Sequence, residues 1–377
     1  MKNLSLRHAI LLTWSGLFTC CLLFHSSTAT PQTQERAHVD EALQAFANIR
    51  PIDVHVHVFK TDADFQAMLQ HLNLKLMNIL VVDDTLSYRR QLEPQITDAL
   101  ALVRSSNGHV AFCTTFDPYK FNQPTFDADS IKQLDRDFAH GAVAVKIWKN
   151  VGMEIKNSDG KFIMPDDPKF EPIYKDIARH HKTLMTHLAE PDVAWGPPDS
   201  SDPSWSYYQE NPQWFLYNKP GVPSKQQILQ ARDHVLAENP NLRMVGVHLG
   251  SMEKDLDNIA AHLDRYPNFA IDTAARMAYL MIAPPEKVRA FLIKYQDRVL
   301  YGTDLDLIAA ANVGETLTEW NSTYARDWTF LATDEIVEYK GKKIRGLALP
   351  EPVLHKIFHD NALHWIPDLA LPARSLR

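Results

Sequence analysis

Cysteine is nearly absent from this chain of 377 residues, which has three. Cys20 and Cys21 fall in an apolar run near the N-terminus, so Cys113 stands alone downstream and no intrachain disulfide can staple the body of the protein. Stability must then come from a large apolar core or from a metal. Cys113 sits in Val110-Ala-Phe-Cys-Thr-Thr-Phe116 and reads as a small buried hydrophobe. An excess of positive charge is also missing: 39 basic residues against 46 acidic ones give a net charge of -7. No global field gathers phosphates or anionic lipid, which argues against a nucleic-acid partner. Internal repeats and low-complexity tracts are absent, and 45% hydrophobic residues exclude wholesale disorder.

Only one run is long and apolar, Ala9 to Phe24, preceded by Lys2 and Arg7 and followed by Ser26-Ser27-Thr28-Ala29. A basic start, an apolar stretch and small residues are the order of an export signal, predicting cleavage after Ala29 and delivery to the periplasm or the exterior. The run is short of the ~20 residues that a membrane span needs, so no stable span is expected after cleavage. Leu17-Phe18-Thr19-Cys20 resembles a lipobox, but Phe18 and Thr19 fit it poorly. The expected layout is a signal peptide over 1–29, a helical extension over 30–50 and a single catalytic-size unit over 51–377.

Along that unit, short β-rich runs alternate with segments of helical period. The β-rich runs are 52–59, 75–82, 109–116, 142–148, 183–188, 244–249, 269–273 and 299–303. Helix-like stretches cover 38–48, 64–72, 96–105, 131–139, 169–181, 224–238 and 285–295, with Asp166 and Ser224 as expected N-caps. Strand and helix repeated eight times predicts an α/β fold, a (β/α)8 TIM barrel with an N-terminal helix and a long loop after strand five. A doubly wound open sheet is the alternative. An extension with a turn at Lys340-Gly341 follows strand eight.

Active sites on such barrels lie at the carboxyl ends of the strands. Strand one ends Asp53-Val-His55-Val-His57, and alternation puts both imidazoles on one face, close enough to share an ion. Strand five ends at His187 and Glu190, strand six at His248, strand eight at Asp304. Four histidines and a carboxylate, with no thiolate, favour Zn²⁺, then Mn²⁺ or Fe²⁺, over an iron–sulfur cluster. A lone histidine at a strand end is ordinarily a satisfied core residue, but desolvating two imidazoles together is costly unless they share a partner. His355 and His359 have i, i+4 spacing, yet Lys356 stands where a zincin carries glutamate, so they read as packing or surface residues.

The ordered set Ile52-Asp-Val-His-Val-His57, Ala144-Val-Lys146-Ile, Thr186-His187-Leu, Val247-His248-Leu-Gly-Ser251 and Tyr301-Gly-Thr-Asp304 resembles the amidohydrolase superfamily, in its amidohydrolase-related branch. The resemblance runs from Ile52 to Ile366, ending in Leu349-Pro-Glu-Pro-Val-Leu and Asp360-Asn-Ala362. It implies that His55, His57, His187 and Asp304 hold a catalytic metal, and that His248 touches a second ion or the reacting oxygen. It also implies two uses of Lys146: a carbamate bridging two ions, as in binuclear members, or a charged lysine facing substrate; a plain structural pair is the third reading. One or two ions per chain therefore stay open.

General chemistry leads to hydrolysis of an amide, ester or lactone. A divalent ion acidifies its water, Asp304 accepts the proton as general base, and His248 donates to the developing oxyanion. The branch also contains metal-dependent decarboxylases, so a lyase is the alternative, and a catalytically silent metal-binding barrel a third. A small-molecule substrate is expected in each catalytic case. Trp195, Trp205, Tyr207, Tyr208, Trp214, Phe215 and Tyr217 crowd the loop after strand five. They read either as a substrate lid, with Trp195 binding substrate, or as a loop core or subunit contact in a homo-oligomer. Arg276, just past strand seven, is the candidate for a substrate carboxylate.

Overall fold

Val54, Val56 and Val58 alternate with Asp53, His55 and His57 along Ile52–Val58 (β1), and every one of these residues is buried, as in a strand covered on both faces. The computed structural model describes residues 31–370 apart from 85, 86 and 88. The signal expected over 1–29 lies outside the described residues. Seven more strands follow where the β-rich runs fall: Lys75–Ile79 (β2), Val110–Thr115 (β3), Ala144–Ile147 (β4), Thr183–Thr186 (β5), Arg243–Gly246 (β6), Phe269–Asp272 (β7) and Val299–Leu300 (β8).

The eighth run departs from expectation because the chain bends at Gly302-Thr303-Asp304. It resumes as Leu305–Leu307 (β9). β8 pairs in parallel with β7, while β9 pairs in parallel with β1. Between them the Tyr301 carbonyl accepts from Val54 N–H at 3.0 Å, and Asp304 N–H donates to the His55 carbonyl at 2.7 Å. One interrupted strand thus joins the two ends of the sheet order β8-β7-β6-β5-β4-β3-β2-β1-β9. The sequential order excludes the doubly wound alternative, which reverses at a switch point. Asp53 stitches the same seam: its carboxylate accepts from His55 N–H and Thr303 N–H at 3.0 and 3.1 Å, and from Thr303 Oγ1 and Tyr324 Oη at 2.6 and 3.1 Å.

Capping chemistry sets the helix boundaries. Ser224 caps Lys225–Glu238 in a reciprocal box with Gln227. Asp166 does not cap the next helix expected from sequence. That helix is Glu171–Arg179 with Phe170 at its cap, and the Asp166 carboxylate is taken up by His234 at 2.9 Å. Leu256–Arg265 and Val313–Ala332 are helices that the periodicity reading passed over. The Lys340-Gly341 turn joins Ile336–Tyr339 (β10) to Lys342–Arg345 (β11). Both turn residues have positive φ, 48° and 72°, the geometry that matches the twist of a tight hairpin. No helix among the described residues is long and apolar enough to cross a membrane.

The helix Pro31–Asn48 is held by aromatic packing. Phe46 is fully buried and stacks on Tyr324 at 5.1 Å, with the edge of Phe358 at 5.6 Å and Tyr301 at 6.1 Å. Tyr301 adjoins the strand break that carries Asp304, so this helix braces the closing seam from outside. Phe46→Ala is expected to destabilise the protein by about 3–5 kcal/mol. An unchanged urea midpoint and slope would mean that the helix does not pack there.

Candidate metal centre

Each histidine at the barrel mouth is fixed through one ring nitrogen, and the other faces inward. His57 Nδ1 lies 2.8 Å from the Ile79 carbonyl, which only accepts, so Nδ1 carries the proton. By the same logic His55 Nδ1–H donates to Asp272 Oδ2 at 2.9 Å and His248 Nδ1–H to the Ala274 carbonyl at 2.8 Å. His187 Nδ1 lies 3.2 Å from His248 Nε2 and is the donor of that pair. Burial, reinforced for His55 by Lys146 and for His187 by His248, holds both rings well below the usual imidazole pKa; burial does the same for His248 against the pull of Asp304. The neutral rings of His55 and His187, with Nδ1 protonated, keep a lone pair on Nε2, whereas that of His248 accepts from His187.

The lone pair of His55 meets a carboxylate. Asp304 Oδ1 lies 3.3 Å from His55 Nε2 and 3.2 Å from His57 Nε2. Burial opposes the ionisation of Asp304, but His55, His248 and the hydrogen bond with His57 outweigh it and hold the carboxyl well below its ordinary range. Between His55 Nε2 and Asp304 Oδ1 acceptor faces acceptor at 3.3 Å, which is repulsive unless a cation lies between, and His57 Nε2 bonds to the same oxygen. Neighbouring ligands of a divalent ion with bonds of ~2.1 Å stand about 3.0–3.4 Å apart, the spacing observed. His187 Nε2 supplies a further unsatisfied lone pair: it is buried without a hydrogen-bond partner, and Glu190 Oε1 is 3.7 Å away. The donor atoms of His55, His248 and Asp304 lie within 4.8 Å of one another. By the chemistry of its donors the cluster fits a divalent cation.

Local backbone geometry sets these positions. After β6 the chain makes a left-handed turn, with φ of 60°, 57°, 63° and 58° at His248, Leu249, Gly250 and Ser251. Each non-glycine residue there costs about 1–2 kcal/mol, and the turn persists because it is pinned. Asp272 Oδ1 accepts from His248 N–H at 2.7 Å, so Asp272 orients both His55 and His248. Lys146, fully buried on β4, brings Nζ to 3.3 Å from His55 Nε2. Burial lowers its pKa to about 8, against the pull of Asp272 and Asp304.

A cavity of about 290 Å³ opens above the cluster, lined also by Trp148, Lys149, Glu190, Tyr207, Tyr208 and Arg276. Lys149 Nζ donates to Glu190 and, at 2.6 Å, to Tyr207 Oη, and sits 4.4 Å from the centre of the Trp214 ring. Tyr208 Oη donates to Glu190 Oε2 at 2.8 Å. Two of the seven loop aromatics thus reach the cavity. Trp205 packs on Phe215 at 5.5 Å and Phe215 on Tyr217 at 6.2 Å, making a loop core. Trp195, expected to bind substrate, is not brought to the cavity; its Nε1–H is drawn away to the Pro223 carbonyl at 3.2 Å. Arg276 is brought there, 6% exposed, with Nη1 on the Ala275 carbonyl and Nε without a partner.

Sequence reasoning missed Asp272, Lys149 and the role of Glu190. Asp272 carried a signal, being the last residue of β7; Lys149 carried none beyond its place just after β4.

A family profile described as amidohydrolase matches residues 52–366. Among curated proteins none matches the sequence. Among solved structures, a 2,6-dihydroxybenzoate decarboxylase complexed with 2,6-dihydroxybenzoate is similar at 14% identity and a TM-score of 0.52, covering 84% of this chain and 98% of its own. A dihydroxybenzoic acid decarboxylase from Polaromonas sp. JS666, with bound manganese and the inhibitor 2-nitroresorcinol, is similar at 11% identity and a TM-score of 0.51, covering 84% and 96%. At these identities the likeness is one of fold.

Asp272→Asn keeps the shape and removes the charge behind His55. It is expected to weaken divalent-ion binding about 10–100-fold in chelator competition; unchanged affinity would show that Asp272 does not tune the cluster.

Proposed function

The chain belongs to the amidohydrolase family, and from that premise we propose that it is a metal-dependent enzyme acting on a small acidic molecule, by hydrolysis of an amide, ester or lactone. The observation that carries this reading is the convergence of the His55 and His57 Nε2 atoms on the Asp304 carboxylate at 3.2–3.3 Å. His55, His57, His187 and Asp304 would hold the ion, zinc first, with manganese or iron as the other candidates. The manganese in the Polaromonas structure supports keeping manganese in that set. When bound, such an ion supplies Lewis acidity and a water acidic enough to react at neutral pH.

The chain's own groups do the rest. Asp304, ionised and hydrogen-bonded at one oxygen, accepts the proton of the attacking water and passes it to the leaving group. His248, held by Ala274 and Asp272, faces the reacting centre; it would have to take up a proton at Nε2, in place of its bond from His187, to stabilise developing negative charge there. Tyr207 and Tyr208, tied to Lys149 and Glu190, exclude water from above. Arg276 lines the cavity, carries a buried Nε–H without a partner and suits a substrate carboxylate.

That cationic lining favours a second reading. Arg276 and Lys146 around this cavity would hold a carboxylate next to the ion, the arrangement a decarboxylase needs. Lys146 supports either ion count, since a carbamate forms only on a neutral amine and burial brings this one to a pKa of about 8. The basic, apolar and small-residue order of the first 29 residues supports export.

Asp304→Asn is expected to lower turnover about 10²–10⁴-fold in a panel of lactones, amides and aromatic acids. Release of CO₂ from an acid would assign the lyase, and ring opening or amine release the hydrolase. Full activity in Asp304→Asn would remove the general base. Metal analysis complements it: two ions falling to one in Lys146→Ala establishes a bridging carbamate, and one ion in both proteins excludes it.

A further inference from the structure

We propose that Arg232, on the outer face of the barrel, is a positioning residue for His248. The proposal rests on the reading of His248 as a group that acts in the cavity. Arg232 lies on the helix Lys225–Glu238 and is almost completely buried, yet it is not among the residues that line the cavity. Its Nη1–H donates to the Gly250 carbonyl at 2.7 Å. Nε and Nη2 both donate to Asp233 Oδ1, at 3.1 and 2.9 Å, and the guanidinium lies over the Phe269 ring at 5.0 Å. Asp233 is held in turn by His262 Nε2 at 3.0 Å.

Gly250 is two residues past His248, in the left-handed turn. Four consecutive residues with φ near +60° form a conformation that an L-residue chain leaves unless something holds it. Besides the backbone bonds from Ser251 N–H to the His248 carbonyl at 3.1 Å and from Met252 N–H to the Leu249 carbonyl at 3.2 Å, three anchors involving side chains are in place. Asp272 takes the His248 N–H at 2.7 Å, Ser251 Oγ–H donates to the Ala189 carbonyl at 3.2 Å, and Arg232 takes the buried Gly250 carbonyl. The first two pin the ends of the turn; Arg232 alone among these holds its middle. A Cβ at Gly250 would lie 3.1 Å from Met252 Cε, 3.3 Å from Phe269 Cζ and 3.4 Å from Arg232 Nη1, so glycine relieves crowding chiefly against the methionine and the phenylalanine. If the Gly250 carbonyl loses its donor, the peptide is left buried and unsatisfied, and relaxing it rotates the imidazole two residues away. Arg232 therefore fixes where His248 Nε2 points.

The test uses full-length protein labelled with ¹⁵N-histidine. The His248 ring N–H, sheltered on the Ala274 carbonyl, is identified as the cross-peak absent from His248→Asn. In Arg232→Met, which keeps apolar packing on Phe269, this cross-peak is expected to move or split while that of His57 stays, and Arg232→Lys is expected to restore a single peak. A folded Arg232→Met with the His248 signal unmoved overturns the proposal. Equal displacement of every histidine signal also overturns it, since that reports general loosening. If Arg232→Met does not fold, Asp233→Asn loosens the guanidinium in place: a displaced His248 signal supports the proposal and an unmoved one overturns it. Adding Zn²⁺ to wild type separates the two readings. If no histidine signal responds, the metal centre fails while the Arg232 result stands.

Discussion

Imidazole lone pairs facing an ionised carboxylate inside a protein are a liability that only positive charge relieves, and the mouth of this barrel is built around that arrangement. His55 and His57 can present Nε2 because Asp272 and the Ile79 carbonyl take the protons of their Nδ1 atoms. Burial then keeps His55 from acquiring a second proton. Without an ion, Lys146 Nζ at 3.3 Å from His55 Nε2 is the nearest cationic relief, so the lysine and a bound ion compete for the same electrostatic role unless the lysine is chemically changed.

The fold supplies the support as well as the site. The histidines and Asp304 come from strands one, five, six and eight, and closure of the ring sets their distances. Where the geometry demands more than a regular strand gives, the backbone departs from it. Asp304 follows the break in strand eight with φ of 66°, and His248 opens a left-handed turn. Both departures are held by side chains the mechanism does not consume, Asp53 and Thr303 at the seam and Asp272 behind the turn. Strain at a site persists where the surroundings over-determine it.

Much of this was legible in the sequence, for a physical reason. Period-two alternation puts His55 and His57 on one face whatever the rest of the chain does, and the β-rich runs mark the strands. Arg276 was legible from its place past strand seven. Other features depend on partners far away in sequence. The bond from Asp272 to His55 spans 217 residues, and the strand-end carboxylate alone does not name its partner. Asp166 has the chemistry of a cap but is claimed by His234 from another helix. Trp195 belongs to a loop rich in aromatic residues whose division into loop core and cavity wall is decided by backbone path, which composition does not encode. The bend at Gly302 splits a strand that reads as continuous.

X-ray absorption at the metal edge of protein loaded with Mn²⁺ or Zn²⁺ tests the central claim most directly, because it counts imidazoles around the ion without requiring a substrate. The account predicts a nitrogen and oxygen shell with outer-shell imidazole scattering that decreases when His57 is replaced by alanine. An all-oxygen shell lacking imidazole scattering, or a spectrum indifferent to His57, would contradict it.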